Sequence, residues 1–168
     1  MRCNRFVKRM QTGKNNTMKL ALVGAGKMGT AIARGLVAQG VWERDEIVAA
    51  DVAGSAREAF ERAVGASCVP SARAAVSSAD VAIVAVKPQV AAEVLPPLGD
   101  AVGGALTISI MAGVPLRRIC GWFPRARCVR VMPNTPLTIG RGASVYACAR
   151  DVTDADRQTV SKIFGSLG

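Results

Sequence analysis

The run V-G-A-G-K-M-G, from Val23 to Gly29, holds the residues whose types and spacing most directly imply chemistry. Gly24, Gly26 and Gly29 form a G-x-G-x-x-G pattern between an apolar run, Lys19 to Val23, and a helix-compatible run, Met28 to Gln39. Glycines near a turn can be plain punctuation. Where a strand bends into a helix, the same pattern is a cradle for the phosphates of a dinucleotide. Gly24 takes the tight turn, Gly26 leaves the backbone bare for a pyrophosphate, and Gly29 lets helix and strand pack closely. Ala25, Lys27 and Met28 complete the loop. The N–H groups of the helix's first turn are unpaired there, and the aligned peptide dipoles favour negative charge. Asp51 closes a second apolar run, Ile47 to Ala50, 22 residues past Gly29. An acid about 20 residues beyond the last glycine accepts hydrogen bonds from a ribose diol. Its carboxylate would repel a 2′-phosphate, which favours NADH on charge grounds. Arg57 can swing to such a phosphate, so NADPH stays open beside NADH.

These residues need a scaffold, and the chain alternates strand and helix signals from Lys19 onward. Strands are expected at Leu20–Val23, Ile47–Ala50, Cys68–Val69, Val81–Val86, Leu106–Ile110, Arg127–Val131 and Ser144–Ala149. Val81–Val86 is apolar throughout, as a strand covered on both faces should be. Helices are expected from Met28 to Gln39, stopped by Gly40, and from Gly54 to Val64, stopped by Gly65. Further helices are expected over Ser71–Ser77, Gln89–Leu98 with a break near Pro96 and Pro97, a segment with Pro115 at its first position, and a last one capped by Thr153 and running to Phe164. Strand–helix alternation with crossovers implies an α/β protein, a Rossmann-type doubly wound and mostly parallel sheet with helices on both faces. Ligands on such sheets bind outside the carboxyl ends of the strands. The glycine loop, Asp51–Ser55, Val86–Gln89 and Met111–Gly113 should gather there, with Met132–Thr135 beside them.

Composition removes several alternatives. The 168 residues suffice for one domain with a full core. There is no histidine, so histidine bases, Ser-His-Asp triads and histidine metal sites are out, and no metal is expected. No apolar run reaches the ~20 residues of a membrane span. Cys3, Cys68, Cys120, Cys128 and Cys148 form no C-x-x-C pair and read as reduced thiols of a cytoplasmic protein. The net charge is +10, and residues 1–19 supply six cations and no acid. Residues 1–17 therefore read as a disordered basic leader ahead of one domain, 18–168. Met18 can be the true start, or the Arg-rich leader is a targeting segment. Phe6 is the one aromatic residue among its charges, too few for stacking on bases, so no nucleic-acid partner is expected.

Four segments occur in order: G-A-G-K-M-G at 24–29, V-K-P-Q at 86–89, S-I-M-A-G at 109–113 and R-V-M-P-N-T-P at 130–136. Together they resemble the N-terminal domain of pyrroline-5-carboxylate reductase, from about Lys19 to Gly168. The resemblance implies hydride transfer from NAD(P)H to the C=N carbon of 1-pyrroline-5-carboxylate, giving L-proline. It places Val86, Lys87 and Pro88 along the nicotinamide half of the cofactor, Ala112 and Gly113 close to the nicotinamide, and Asn134 at the cofactor–substrate junction. Each has a plainer alternative: Lys87 as a solvated strand end stopped by Pro88, and Gly113 and Asn134 as turn residues. Members of the family continue for about another hundred residues, the size of one small domain. That domain forms the dimer, binds the substrate carboxylate and supplies a hydroxyl near the imine nitrogen, so no catalytic residue is assigned within this chain. A dinucleotide-binding module without turnover, and another imine or β-hydroxyacid reductase on the same domain, are the competing functions.

Overall fold

The computed structural model describes residues 18–168, so the expected leader, 1–17, lies outside the described residues. A seven-stranded sheet runs through the centre in the order β3-β2-β1-β4-β5-β6-β7. Its strands are β1 (Leu20–Val23), β2 (Ile47–Ala50), β3 (Ser67–Val69), β4 (Val81–Val84), β5 (Leu106–Ser109), β6 (Arg127–Pro133) and β7 (Ser144–Cys148). The first six are parallel, and β7 closes one edge antiparallel to β6. The α/β, doubly wound expectation is met.

The helices follow from spacing and caps. In α1 (Lys27–Ala38) Gly29, Ile32, Ala33 and Leu36 are buried, one stripe at helical period. α2 (Gly54–Val64) buries Phe60 and Val64 and ends on Gly65, which takes φ 75°. Ser71 caps α3 (Ala72–Val76) by accepting from the Ala74 N–H at 3.2 Å. α4 (Pro88–Val94), α5 (Gly99–Val102) and α6 (Leu116–Trp122) share its side of the sheet, and α7 (Asp154–Gly165) packs opposite, with α1 and α2. Alternate strand residues separate the two cores. Leu20 and Leu22 of β1 join Ile32, Phe60 and Ile163 on one face. Ala21 and Val23 join Val84, Leu95 and Ile119 on the other. Both faces are apolar because both are covered.

Several expected boundaries are corrected. The strand expected to reach Val86 ends at Val84, because Lys87 stands extended before Pro88 as the cap of α4. The helix expected over Gln89–Leu98 breaks near Pro96 and Pro97 as expected, but it begins at Pro88, and the part after the break is a 3-10 turn, Pro96–Leu98, that leads into α5. Pro115 is not the first helical residue; its ψ of 150° makes it the cap before Leu116. β6 extends past Val131 to Pro133, since β7 pairs Met132 with Val145 and Pro133 with Ser144. A 3-10 segment, Thr135–Ile139, packs Leu137 into the core beside α1.

α7 is anchored by charge as well as by packing. Asp156 and Thr153 form a capping box, and Arg127 donates to Asp156 through Nε at 2.8 Å and Nη2 at 3.1 Å. Burial alone would push the Asp156 carboxyl up. The hydrogen bonds from Arg127 and Thr153 outweigh it and hold the group below the usual carboxylate value.

Candidate active site: the cleft at the carboxyl ends of β1, β2 and β4

The strand order reverses between β1 and β4, and a cleft of about 330 Å³ opens beside that point. Val23, Gly24 and Gly26 form one wall, Ala50, Asp51 and Val52 a second, and Ala85, Val86 and Lys87 a third. Pro70, Ala72, Val90 and Val94 close the remaining side.

The loop after β1 is held from several directions. The Gly24 N–H donates to the Ala50 carbonyl at 2.8 Å, and the Ala85 N–H to the Val23 carbonyl at 2.8 Å. The Thr30 hydroxyl donates to the Ala25 carbonyl at 3.1 Å. Asp51 completes the frame: Oδ2 accepts from the Ala25 N–H at 3.0 Å and Oδ1 from the Ala53 N–H at 2.9 Å. The acid expected to meet a ribose is thus also a strut of the glycine loop. Each carboxylate oxygen keeps a further lone pair for a ligand. Arg57 folds back over the same turn, its Nη1 donating to the carbonyls of Asp51 and Val52 at 2.9 Å each.

The three glycines serve different needs. Gly24 has φ 104°, and a Cβ there would stand 2.8 Å from the Ala85 carbonyl oxygen. At Gly29 a Cβ would run into the Gly24 carbonyl oxygen. Gly26 is unlike both. Its φ of −72° and ψ of −177° suit any residue, and a Cβ there would meet nothing within 4 Å. The protein's own packing does not demand glycine at this position. Gly26 is also the cap of α1, and no side chain caps the helix's first N–H groups. The result is an open surface of unpaired N–H donors at a helix start, bordering an apolar cleft. Those donors, the open Gly26 face and the cleft fit the phosphates of a dinucleotide.

Of the residues singled out in the sequence, Gly24, Gly26, Asp51, Val86 and Lys87 line the cleft together. Ala25, Lys27, Met28, Gly29 and Pro88 flank it along the chain. Ala112 and Gly113 are exposed in the loop after β5 and do not line it; Gly113 holds φ 74°. Asn134 stands apart as well: its Oδ1 accepts from the Ala143 N–H at 2.9 Å, and its N–H donates to the Ala143 carbonyl, pinning the loop from β6 to β7. Pro70, Ala72, Val90 and Val94 were not singled out. Val90 and Val94 lie four apart on α4, a spacing that puts them on one helix face. Cys68, in β3 behind Asp51, has its thiol pushed up to about 11 by burial and by the carboxylates of Asp51 and Glu61.

Residues 19–113 match the family described as NADP oxidoreductase, coenzyme F420-dependent. The pyrroline-5-carboxylate reductase of Pisum sativum is 35% identical over 155 residues, covering 92% of this chain and 56% of that relative. A solved pyrroline-5-carboxylate reductase from Coxiella burnetii superposes with a TM-score of 0.85 at 28% identity, over 91% of this chain and 57% of that one. A Plasmodium falciparum pyrroline carboxylate reductase, solved with NADP bound, gives a TM-score of 0.79 at 26% identity, over 93% of this chain and 57% of that one. The chain therefore spans a little over half the length of these relatives.

Proposed function

The chain belongs to the NADP oxidoreductase, coenzyme F420-dependent, family, and on that premise we propose that it is the dinucleotide-binding part of a pyrroline-5-carboxylate reductase. The reaction is reduction of the C=N bond of 1-pyrroline-5-carboxylate to L-proline, with NADPH or NADH. The observation that carries the dinucleotide site is Gly26: a glycine with ordinary backbone angles, an empty Cβ position and an uncapped helix start beside a cleft. The substrate assignment is supported by the 35% identity to the pea enzyme and by the ordered motifs at strand ends.

When bound, the cofactor supplies the hydride. The chain's task is to hold and orient it. The N–H groups at Gly26–Gly29 take the phosphates. Asp51 takes the ribose, and Val52, Pro70 and Val90 cover the flat base. Val86, Lys87 and Pro88 lie along the nicotinamide half, with Ala112 and Gly113 close to the ring and Asn134 at the substrate junction. No histidine is needed, because the cyclic imine takes its proton from water and its carbon is then electrophilic. Positioning is the remaining requirement. The substrate carboxylate, the hydroxyl near the imine nitrogen and a homo-oligomer interface are assigned to the length that the relatives have and this chain does not span.

Calorimetric titration of NADPH and NADH into this chain, with pyrroline-dependent oxidation of NADPH by a version extended to the full length of the relatives, tests both parts. Binding by the chain and turnover by the extended protein are expected. Binding without turnover in the extended protein rejects the substrate assignment and leaves a dinucleotide-binding module. Absence of binding rejects the site.

A further inference from the structure

Among the described residues, most charges are sorted along the strand axis. At the cleft end stand Lys27 at the start of α1, Arg57 in the opening turns of α2 and Lys87 before α4. Arg117 and Arg118 in the first turn of α6 and Arg141 between β6 and β7 join them. Two acids accompany these six cations: Glu58, next to Arg57 and paired with Arg62 at 3.7 Å, and Asp51, both of whose oxygens are turned onto backbone N–H groups.

The opposite end is the reverse. Glu43, Asp45 and Glu46 precede β2, Asp80 precedes β4 and Asp100 precedes β5. Asp151, Asp154 and Asp156 follow β7. Eight acids there outnumber six cations: Lys19, Arg44, Arg125, Arg127, Arg150 and Arg157. The chain from 101 to 150 holds seven arginines and no acid. Within it Arg117, Arg118 and Arg141 are exposed, and their guanidinium groups have no hydrogen-bond or ion-pair partner among the described residues. Arginines that bind nothing in their own protein still set a field outside it.

We infer that this polarity steers anionic ligands to the cleft end, and that it discriminates NADPH from NADH through the association rate. The inference rests on the dinucleotide reading of the cleft and deepens it. The 2′-phosphate adds about 1.5–2 negative charges. A long-range field acts on that charge before any contact forms. Asp51 acts only at contact, so its preference for a plain ribose belongs to the dissociation rate. The two effects oppose each other and are separable kinetically. Steering by a surface field raises on-rates about 10- to 10³-fold and weakens as salt shortens the Debye length from about 30 Å at 0.01 M to about 8 Å at 0.15 M.

The test is stopped-flow binding of NADPH and of NADH to this chain at 0.01 and 0.15 M salt, followed by the fluorescence of the reduced nicotinamide. One variant carries Arg117→Gln and Arg118→Gln. A second removes the same charge from the opposite end with Arg125→Gln and Arg150→Gln. The NADPH on-rate is expected to fall about fivefold or more with salt and the NADH on-rate less. The first variant should lower the NADPH on-rate at low salt at least twofold with the off-rate and melting temperature unchanged. The second should leave the on-rate within 1.5-fold of the wild type. On-rates with equal salt dependence for both cofactors, or equal losses in the two variants, overturn the steering while leaving the site intact. Binding of neither cofactor rejects the dinucleotide reading and the steering together.

Discussion

Replacing Gly26 with valine separates what the fold requires from what a ligand requires. The backbone at Gly26 has φ −72° and ψ −177°, open to a branched residue, and a Cβ there has no protein atom within 4 Å. Valine is a poorer helix cap than glycine by up to about 1 kcal/mol. The stiffer unfolded chain offsets about 0.4–1 kcal/mol of that. The net change in stability should stay within about 1 kcal/mol, a shift of less than about 4 °C in Tm for a protein of this size. The ligand meets a different situation. The new methyl groups occupy the open face through which a phosphate approaches the first N–H groups of α1. Losing two hydrogen bonds to a charged group, at about 1.5–3 kcal/mol each, raises Kd by about 10²- to 10⁴-fold. Calorimetric titration of NADPH into Gly26→Val, alongside a thermal melt, measures both quantities. A Kd within threefold of the wild type in a folded variant would refute the phosphate cradle. A Tm loss above 8 °C would show that Gly26 is glycine for the fold's own sake.

Gly24→Ala should show the opposite pattern. With φ 104° and the Ala85 carbonyl oxygen 2.8 Å from the new Cβ, it should cost about 1–3 kcal/mol of stability with no ligand present, read by urea melts; a neutral result would contradict the strained turn. Asp51→Ser removes the acceptors of the Ala25 and Ala53 N–H groups, so it should lower stability by about 1–3 kcal/mol and move preference toward NADPH; a ratio of Kd values that does not move would take Asp51 off the ribose. The Asp156 carboxyl titrates below its ordinary value, so its contribution is fully present above the unfolded value of about 3.9 and is lost as pH falls below it. The Tm gap between wild type and Asp156→Asn should accordingly hold from pH 7 to 5 and narrow from pH 4 to 3; a gap constant down to pH 3 would contradict the assignment. Burial first, and then the nearby Cys120, pushes the Cys128 thiol up to about 12, and the thiol of Cys68 is at about 11, so mass spectrometry at pH 7.5 should find a thiol reagent on Cys120 and Cys148 well before either.

Much of this was legible in the residues. Strand starts at Leu20, Ile47, Val81, Leu106 and Arg127 follow from apolar runs bounded by turn signals, and the structure keeps them. Gly40, Gly65, Ser71 and Thr153 mark helix ends through local backbone chemistry, which sequence exposes well. Boundaries that depend on a partner were less legible. β6 reaches Pro133 only because β7 lies against it, and no pattern within 127–133 announces that pairing. The glycine loop and Asp51 were expected together, yet the hydrogen bond from Ala25 to Asp51 spans 26 residues and is a product of the folded sheet. Val90 and Val94 look like ordinary core residues until α4 turns them toward the cleft. Pro115 shows the ambiguity of proline, whose fixed φ suits a cap and a first helical position alike.

A titration of NADPH into the uniformly ¹⁵N-labelled chain, followed through amide chemical shifts, reaches the central claim most directly. Saturable shifts largest at the N–H groups of Gly26, Lys27, Met28 and Gly29, with smaller ones at Asp51 and Lys87, are the predicted result. Saturable binding that leaves residues 24–29 unmoved while shifting another surface would contradict it.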